Sequence, residues 1–230
     1  MKKQLVLCGL LSLLAIVPVW AQSKLEIGRF TLNLAESGWE KLDATAVDVD
    51  LKGARGKMPV EAGLVVLPGS NGQVVAAILW QATRGAGTGF QWSFDCRPNT
   101  SMYVHDYTDG KPYVAECLGG GGPFVSTRML TVGSLKRMGD AVKPANKSFP
   151  TNGYFARLFM GIRNGSLVEV EVFLAQNFAG LPGRTPVVAS MPTTLPPAVA
   201  AGMDVLGASV KEALYSFGGT MTVPPISFVY

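Results

Sequence analysis

His105 is the single histidine of the chain, so any acid–base or Ser–His–Asp chemistry built on imidazole would have to run through it. No Gly-x-Ser-x-Gly elbow is present to hold a nucleophilic serine. Two carboxylate pairs, Asp48/Asp50 and Glu169/Glu171, stand two residues apart in strand-like runs. Each pair then projects from one face of its strand, the pattern of an ordinary solvated face. Glycoside hydrolysis needs two carboxyls held across a cleft, and spacing along one strand does not supply that. Gly119–Gly122 and the run Gly85-Ala86-Gly87-Thr88-Gly89 lack the Lys and Ser/Thr of a phosphate loop. Both read as mobile connections. One His and three Cys exclude a His-rich, zinc-finger or iron–sulfur set. No catalytic residue, metal or cofactor is assigned on these grounds.

The segment with most binding character is Tyr103-Val104-His105-Asp106-Tyr107. Alternation places Tyr103, His105 and Tyr107 on one face, with Asp106 and Asp109 at the rim. Tyrosine offers broad contact area with few rotatable bonds, and His105 changes charge between about pH 5 and 8. The segment lies between Cys96 and Cys117, which read as a structural disulfide closing twenty intervening residues. Asp109-Gly110 marks a tight hairpin turn, and counting outward from it sets Met102 opposite Cys117.

The elements that must position these residues are mostly strands. Phe30, Leu32 and Leu34 alternate with Thr31 and Asn33, and Val47, Val49 and Leu51 alternate with Asp48 and Asp50. Leu64–Leu67 and Gln73–Trp80 flank a turn-rich stretch at Pro68–Gly72 and read as a hairpin buried on both faces. Tyr154–Ile162 and Leu167–Ala175 flank Asn164-Gly165 as a second hairpin. Val168, Val170 and Val172 alternate there with Glu169 and Glu171, which predicts one wet face. From Ala198 to Phe217 the large apolar residues recur in steps of three and four, the stripe of an amphipathic helix. Pro196-Pro197 suits its start and Gly218-Gly219 its end. Gly202 and Gly207 would let it approach a sheet closely. A shorter helix is expected around Arg128–Met138, and Phe178–Pro197 reads as a long loop. The fold class is therefore α+β: an antiparallel, hairpin-rich sheet covered by a C-terminal amphipathic helix, with one disulfide. A mostly-β sandwich is the alternative.

Met1-Lys2-Lys3, an apolar run from Leu5 to Val17, and Val19-Trp20-Ala21 have the three-part layout of a secretory signal peptide. The run is too short to span a bilayer, which takes about 20 apolar residues. The expected organisation is a signal peptide at 1–21 and a single domain at 22–230, with no transmembrane segment in the mature chain. Removing 1–21 takes two lysines and no acid, so 18 basic residues face 16 acidic ones, a net charge of +2. No basic cluster exceeds a pair such as Lys136-Arg137, which excludes a nucleic-acid partner. The short, lysine-led signal has a bacterial character. Ile226–Tyr230 resembles the terminal strand of outer-membrane β-barrels, but Pro224-Pro225 would break such a strand. These features together suggest a periplasmic or secreted, non-catalytic envelope protein that binds an envelope protein or a small ligand. The alternative is a secreted hydrolase using carboxylates or His105, and an outer-membrane association ranks below both. Intact mass of the exported protein should correspond to a chain beginning at Gln22; a product retaining 1–21 would reject export.

Overall fold

A computed structural model describes residues 24–27, 30–34, 38–46, 49–52, 57–69, 72–83, 91–92, 103–106, 114–131, 135–162, 167–176, 197–215 and 219–223. Strands run over Lys24–Ile27 (β1), Phe30–Leu34 (β2), Glu40–Leu42 (β3), Val49–Lys52 (β4), Lys57–Met58 (β5), Val60–Pro68 (β6) and Val74–Thr83 (β7). Gln91–Trp92 (β8), Tyr103–Asp106 (β9) and Val114–Val125 (β10) follow. After the short helices Ser126–Met129 (α1) and Leu135–Val142 (α2) come Asn152–Ile162 (β11) and Leu167–Ala175 (β12). The described chain closes with helix Pro197–Tyr215 (α3) and strand Thr220–Val223 (β13). Strands outweigh helices, and the pairings are antiparallel apart from β13 on β2, in agreement with the α+β expectation. Among the described residues, no helix is long and apolar enough to cross a membrane.

The main sheet has seven strands in the order β3-β6-β7-β12-β11-β10-β9, with β12 at its centre. Both expected hairpins are present, β6–β7 and β11–β12. One face of the sheet carries Ile78, Trp80, Leu118, Leu158, Met160, Val168 and Val170, all buried. Met203, Leu206, Val210, Ala213 and Leu214 of α3 pack on it, so the three-and-four spacing did mark the buried stripe. The expected role of Gly202 and Gly207 in close approach is not what the structure has: a Cβ on Gly207 would lie 3.6 Å from Leu158 and 3.7 Å from Met160, in ordinary contact, so a side chain would fit there. Gly202 has no such neighbour. A small sheet, β1-β2-β13, covers the rest of this face with Leu25, Phe30, Leu32, Leu34, Met221 and Val223.

On the opposite face, Met138 and Val142 of α2 seal Leu64, Val66, Ala77, Leu79, Phe155 and Phe173. Phe149 meets Phe173 edge-on, with ring centroids 4.7 Å apart. The expected helix at Arg128–Met138 is instead two helices. The turn between them begins where the Thr131 hydroxyl donates to the Arg128 carbonyl oxygen at 2.8 Å and so competes with helical continuation.

Gly119–Gly122 is not a connection, contrary to the sequence reading. The four glycines lie inside β10, with Gly119, Gly120 and Gly121 opposite Arg157, Ala156 and Phe155 of β11. The ladder shifts register between Gly121 and Phe124, and Gly122 has φ +144°. A Cβ on Gly122 would stand 3.0 Å from the Gly153 carbonyl oxygen, so the two strands approach too closely for a side chain.

Gly153 is equally confined, because an added Cβ would overlap the Phe173 ring and come within 2.9 Å of the Leu174 carbonyl oxygen. Gly153→Ala should destabilise the fold by about 1–3 kcal/mol, whereas Gly202→Ala, in open helical space, should stabilise it by about 0.5–1 kcal/mol. Urea unfolding midpoints of the two variants check both signs.

Candidate functional site

The backbone of the Tyr103–Asp106 segment forms β9, at one edge of the main sheet. It pairs with β10 so that Tyr103 faces Gly120, Val104 faces Gly119, His105 faces Leu118 and Asp106 faces Cys117. This corrects the expected register, which set Met102 against Cys117, by four residues. Counting from Asp109-Gly110 would have put Pro112 into the ladder, where it has no N–H to donate. Tyr107, Asp109 and Cys96 lie outside the described residues, while Cys117 is buried on β10 at 4% exposure.

The predicted wet face of β12 is also overturned. Glu169 and Glu171 are 5% and 1% exposed, and every residue of β12 is buried. The cause is topological: β12 is the central strand, and both faces of the sheet are covered. Cross-strand register builds a polar patch around the two carboxylates. Arg157 of β11 stands opposite Glu171, and Gln81 of β7 stands opposite Glu169. The Arg157 Nε donates to Glu169 Oε1 at 2.7 Å and lies 3.9 Å from Glu171 Oε1. Arg137 of α2 donates to Gln81 Oε1 from above the sheet. Beside them the Thr83 hydroxyl accepts the Leu167 N–H at 3.1 Å.

Burial raises the Glu171 carboxyl to about 7; the Glu169 charge pushes the same way, against Arg157 and Arg137. Arg157, Gln81 and Arg137 were not singled out from sequence. Counting outward from the Asn164-Gly165 turn does not find Arg157: it sets Leu158 against Glu171 and turns Arg157 to the opposite face, one residue away from the observed pairing.

A cleft of about 690 Å³ opens beside this patch, between β3 with its following loop and α2. Lys41, Leu42, Asp43 and Thr45 form one wall, and Arg137, Asp140 and Ala141 the other. Arg137 thus belongs both to the cleft and to the sheet's polar patch. Hydrogen bonds from Lys136 and Lys143 hold the Asp140 carboxyl below the usual carboxylate range. Lys147, just beyond α2, pairs with Glu40 of β3 at 2.7 Å and ties the two walls together. Two further backbone bonds, Val74 N–H to the Ser148 carbonyl oxygen at 2.8 Å and Ser148 N–H to that of Gly72 at 3.1 Å, anchor the same segment to the β6–β7 hairpin. Among the described residues, no three His, Cys, Asp or Glu side chains converge to hold a metal ion. Comparison with protein-family models, with curated proteins and with solved structures finds no match.

The chemistry of the buried pair is testable by pH. Because the folded value of Glu171 lies above its ordinary 4.5, the folded protein retains a proton that the unfolded chain releases. The associated stability is present below about pH 4.5 and is lost as pH rises through about 7, with a ceiling of about 3 kcal/mol. Glu171→Gln should flatten this slope and exceed the wild type in melting temperature at pH 8. A variant less stable than the wild type at pH 8 would mean that the fold depends on the charged form.

Proposed function

We propose that the protein is an exported envelope protein with a binding or accessory role and no catalytic one. The observation that carries this reading is how its buried acids are used. Glu116, on β10, accepts from Lys211 of α3 at 2.7 Å, and Glu169 and Glu171 gather on Arg157. Each carboxylate joins one layer or strand to the next. None of these three stands across a cleft from a second acid, as hydrolysis by paired carboxylates requires; Asp43 and Asp140 do line opposite walls of the β3–α2 cleft, but Lys136 and Lys143 hold Asp140 below the usual carboxylate range, the opposite of what a general acid needs. The concavity at β3 and α2, walled by charged and small apolar side chains, has the mixed lining of a ligand or partner site. Export, with cleavage near Ala21 and a periplasmic or secreted destination, is part of the same proposal and rests on the amino-terminal pattern. So is the Cys96–Cys117 disulfide, for which the buried position of Cys117 beside β9 and β11 is favourable. Binding at Tyr103, His105, Asp106, Tyr107 and Asp109 remains proposed on sequence grounds.

Thiol titration of the denatured, unreduced mature protein should find no free thiol; two would remove the disulfide from the proposal. Chromogenic glycoside, ester and peptide substrates should show no turnover above buffer. Turnover that Asp43→Asn, Asp140→Asn, Glu169→Gln or His105→Ala abolishes would replace this reading with the hydrolase one.

A further inference from the structure

We propose that the buried acid pair of β12 works as a proton-operated latch on α2: ionisation of Glu171 draws Arg137 towards the sheet, and with it the wall of the cleft that Arg137 forms, and protonation lets both relax. The latch is a conformational property of the fold and goes beyond the binding role. Only its consequence for whatever enters the cleft rests on that role.

The first support is continuity. Glu169 and Glu171 are buried on β12, and Gln81 of β7 stands opposite Glu169. The Gln81 amide oxygen accepts from Arg137 of α2, and Arg137 also lines the cleft. Adjoining polar groups therefore run from the middle of the sheet to an open surface. The second support is the set of charges that act on Glu171 from the elements packed against it. They are Glu169 on its own strand, Arg157 on β11 and Arg137 on α2, while β7 presents the neutral Leu79 and Gln81. Arg157 is already bonded to Glu169, and its Nε lies 3.9 Å from Glu171 Oε1. Of the two cations, Arg137 is the one carried by an element outside the sheet. It has contacts besides Gln81, so the latch tightens a side chain that is already held.

The direction follows from linkage. Arg137 favours the charged form of Glu171, although burial and the Glu169 charge hold that carboxyl up at about 7. Coupling between two equilibria is reciprocal, so the charged form favours the position of Arg137 over the sheet by the same factor. Below about pH 7 that attraction fades and the hydrogen bond to Gln81 persists. Met138 and Val142 keep α2 seated on the apolar half of the face, which confines the movement to the polar side of the helix. Asp140 stays ionised throughout, since Lys136 and Lys143 hold its carboxyl below the usual range. His105 has its ordinary titration nearby but belongs to β9, three strands from β12.

The experiment is NMR of the mature, full-length protein from about pH 5.5 to about pH 8.5. The Glu171 side-chain carboxyl carbon reports its own titration, and the Arg137 Nε–H with the amides of residues 137–141 reports the latch. All should share one midpoint near 7, and exchange of the Arg137 Nε–H with solvent, corrected for its intrinsic pH dependence, should slow by about fivefold above it. Arg137→Gln should raise the Glu171 midpoint by about 0.7 pH unit, the same factor seen from the other side. Arg137→Lys should raise it less, and Glu169→Gln should lower it by about one pH unit. Glu171→Gln should remove the titration at Arg137 and α2. A Glu171 carboxyl that titrates while those signals stay flat would overturn the latch, as would a midpoint unmoved by Arg137→Gln. Arg137 signals that still titrate in Glu171→Gln would also overturn it, by assigning them to another group. Should Glu171→Gln fail to fold, the Arg137 and Glu169 variants decide alone. Failure here is distinct from failure of the broader reading, which intact mass and the substrate assays decide.

Discussion

The central strand of a covered sheet has no face to give to water, and β12 nevertheless carries two glutamates on one of its faces. Everything on that side of the molecule answers to this constraint. A buried carboxylate without a counter-charge is costly by several kcal/mol, so the neighbouring strands must bring cations or hydrogen-bond donors to the same rows. The β11–β12 register brings Arg157 and the β7–β12 register brings Gln81. A slip of one residue would turn Arg157 to the α3 face and strand both acids. The ion pairs therefore act with the apolar pattern to fix the alignment of the three middle strands. Burial is the main reason that Glu171 holds its proton to about 7, and the neighbouring Glu169 charge adds to it against Arg157 and Arg137.

The two faces of the sheet solve coverage in different ways. Under α3 the contact is almost wholly apolar, and its charged link, Glu116 to Lys211, lies where the lysine is still 42% exposed. Under α2 the face divides along the strands. The rows of Phe155 and Phe173 pack on Met138 and Val142, while the next rows hold Glu171, Arg157, Gln81 and Glu169. Helix α2 bridges the division, with Met138 facing the apolar half and Arg137 reaching Gln81. That placement also makes α2 one wall of the cleft, so the helix that seals the core shapes the concavity as well.

What could be read from the sequence followed from period and turn chemistry. The alternation at Phe30–Leu34, the hairpin at Pro68–Gly72 and the three-and-four stripe of α3 are local patterns, and each led to the observed element. The failures share a non-local cause. Alternating Val and Glu at 168–172 looks the same on an edge strand and on a central one, and only strand order tells them apart. Four glycines look like a flexible joint unless the bulky partners opposite them, Arg157 and Phe155, are known. The β9–β10 register was misplaced because Asp109-Gly110 is a strong turn signal, yet Pro112 two residues on is incompatible with the ladder it implies. The cleft was invisible, since Lys41 and Arg137 lie 96 residues apart and neither sits in a motif.

Spacing alone does not separate a structural acid pair from a catalytic one. Residues i and i+2 on a strand lie about 6.5–7 Å apart, which overlaps the separation of about 6.5–9.5 Å used by inverting glycosidases. Direction and solvent are what differ. A working pair faces across a space that admits substrate and water, with one carboxyl protonated and the other ionised. Glu169 and Glu171 project side by side from one strand, share Arg157 and are almost fully buried. Their environments do diverge, with Glu171 raised and Glu169 bonded directly to Arg157, which is the asymmetry an acid and its partner would need. With no open path between them for a sugar or a water, that asymmetry is better understood as the cost of placing two acids on a central strand. The open cleft shares Arg137 with this patch but is lined differently, by charged side chains of both signs, a hydroxyl and small apolar side chains around about 690 Å³.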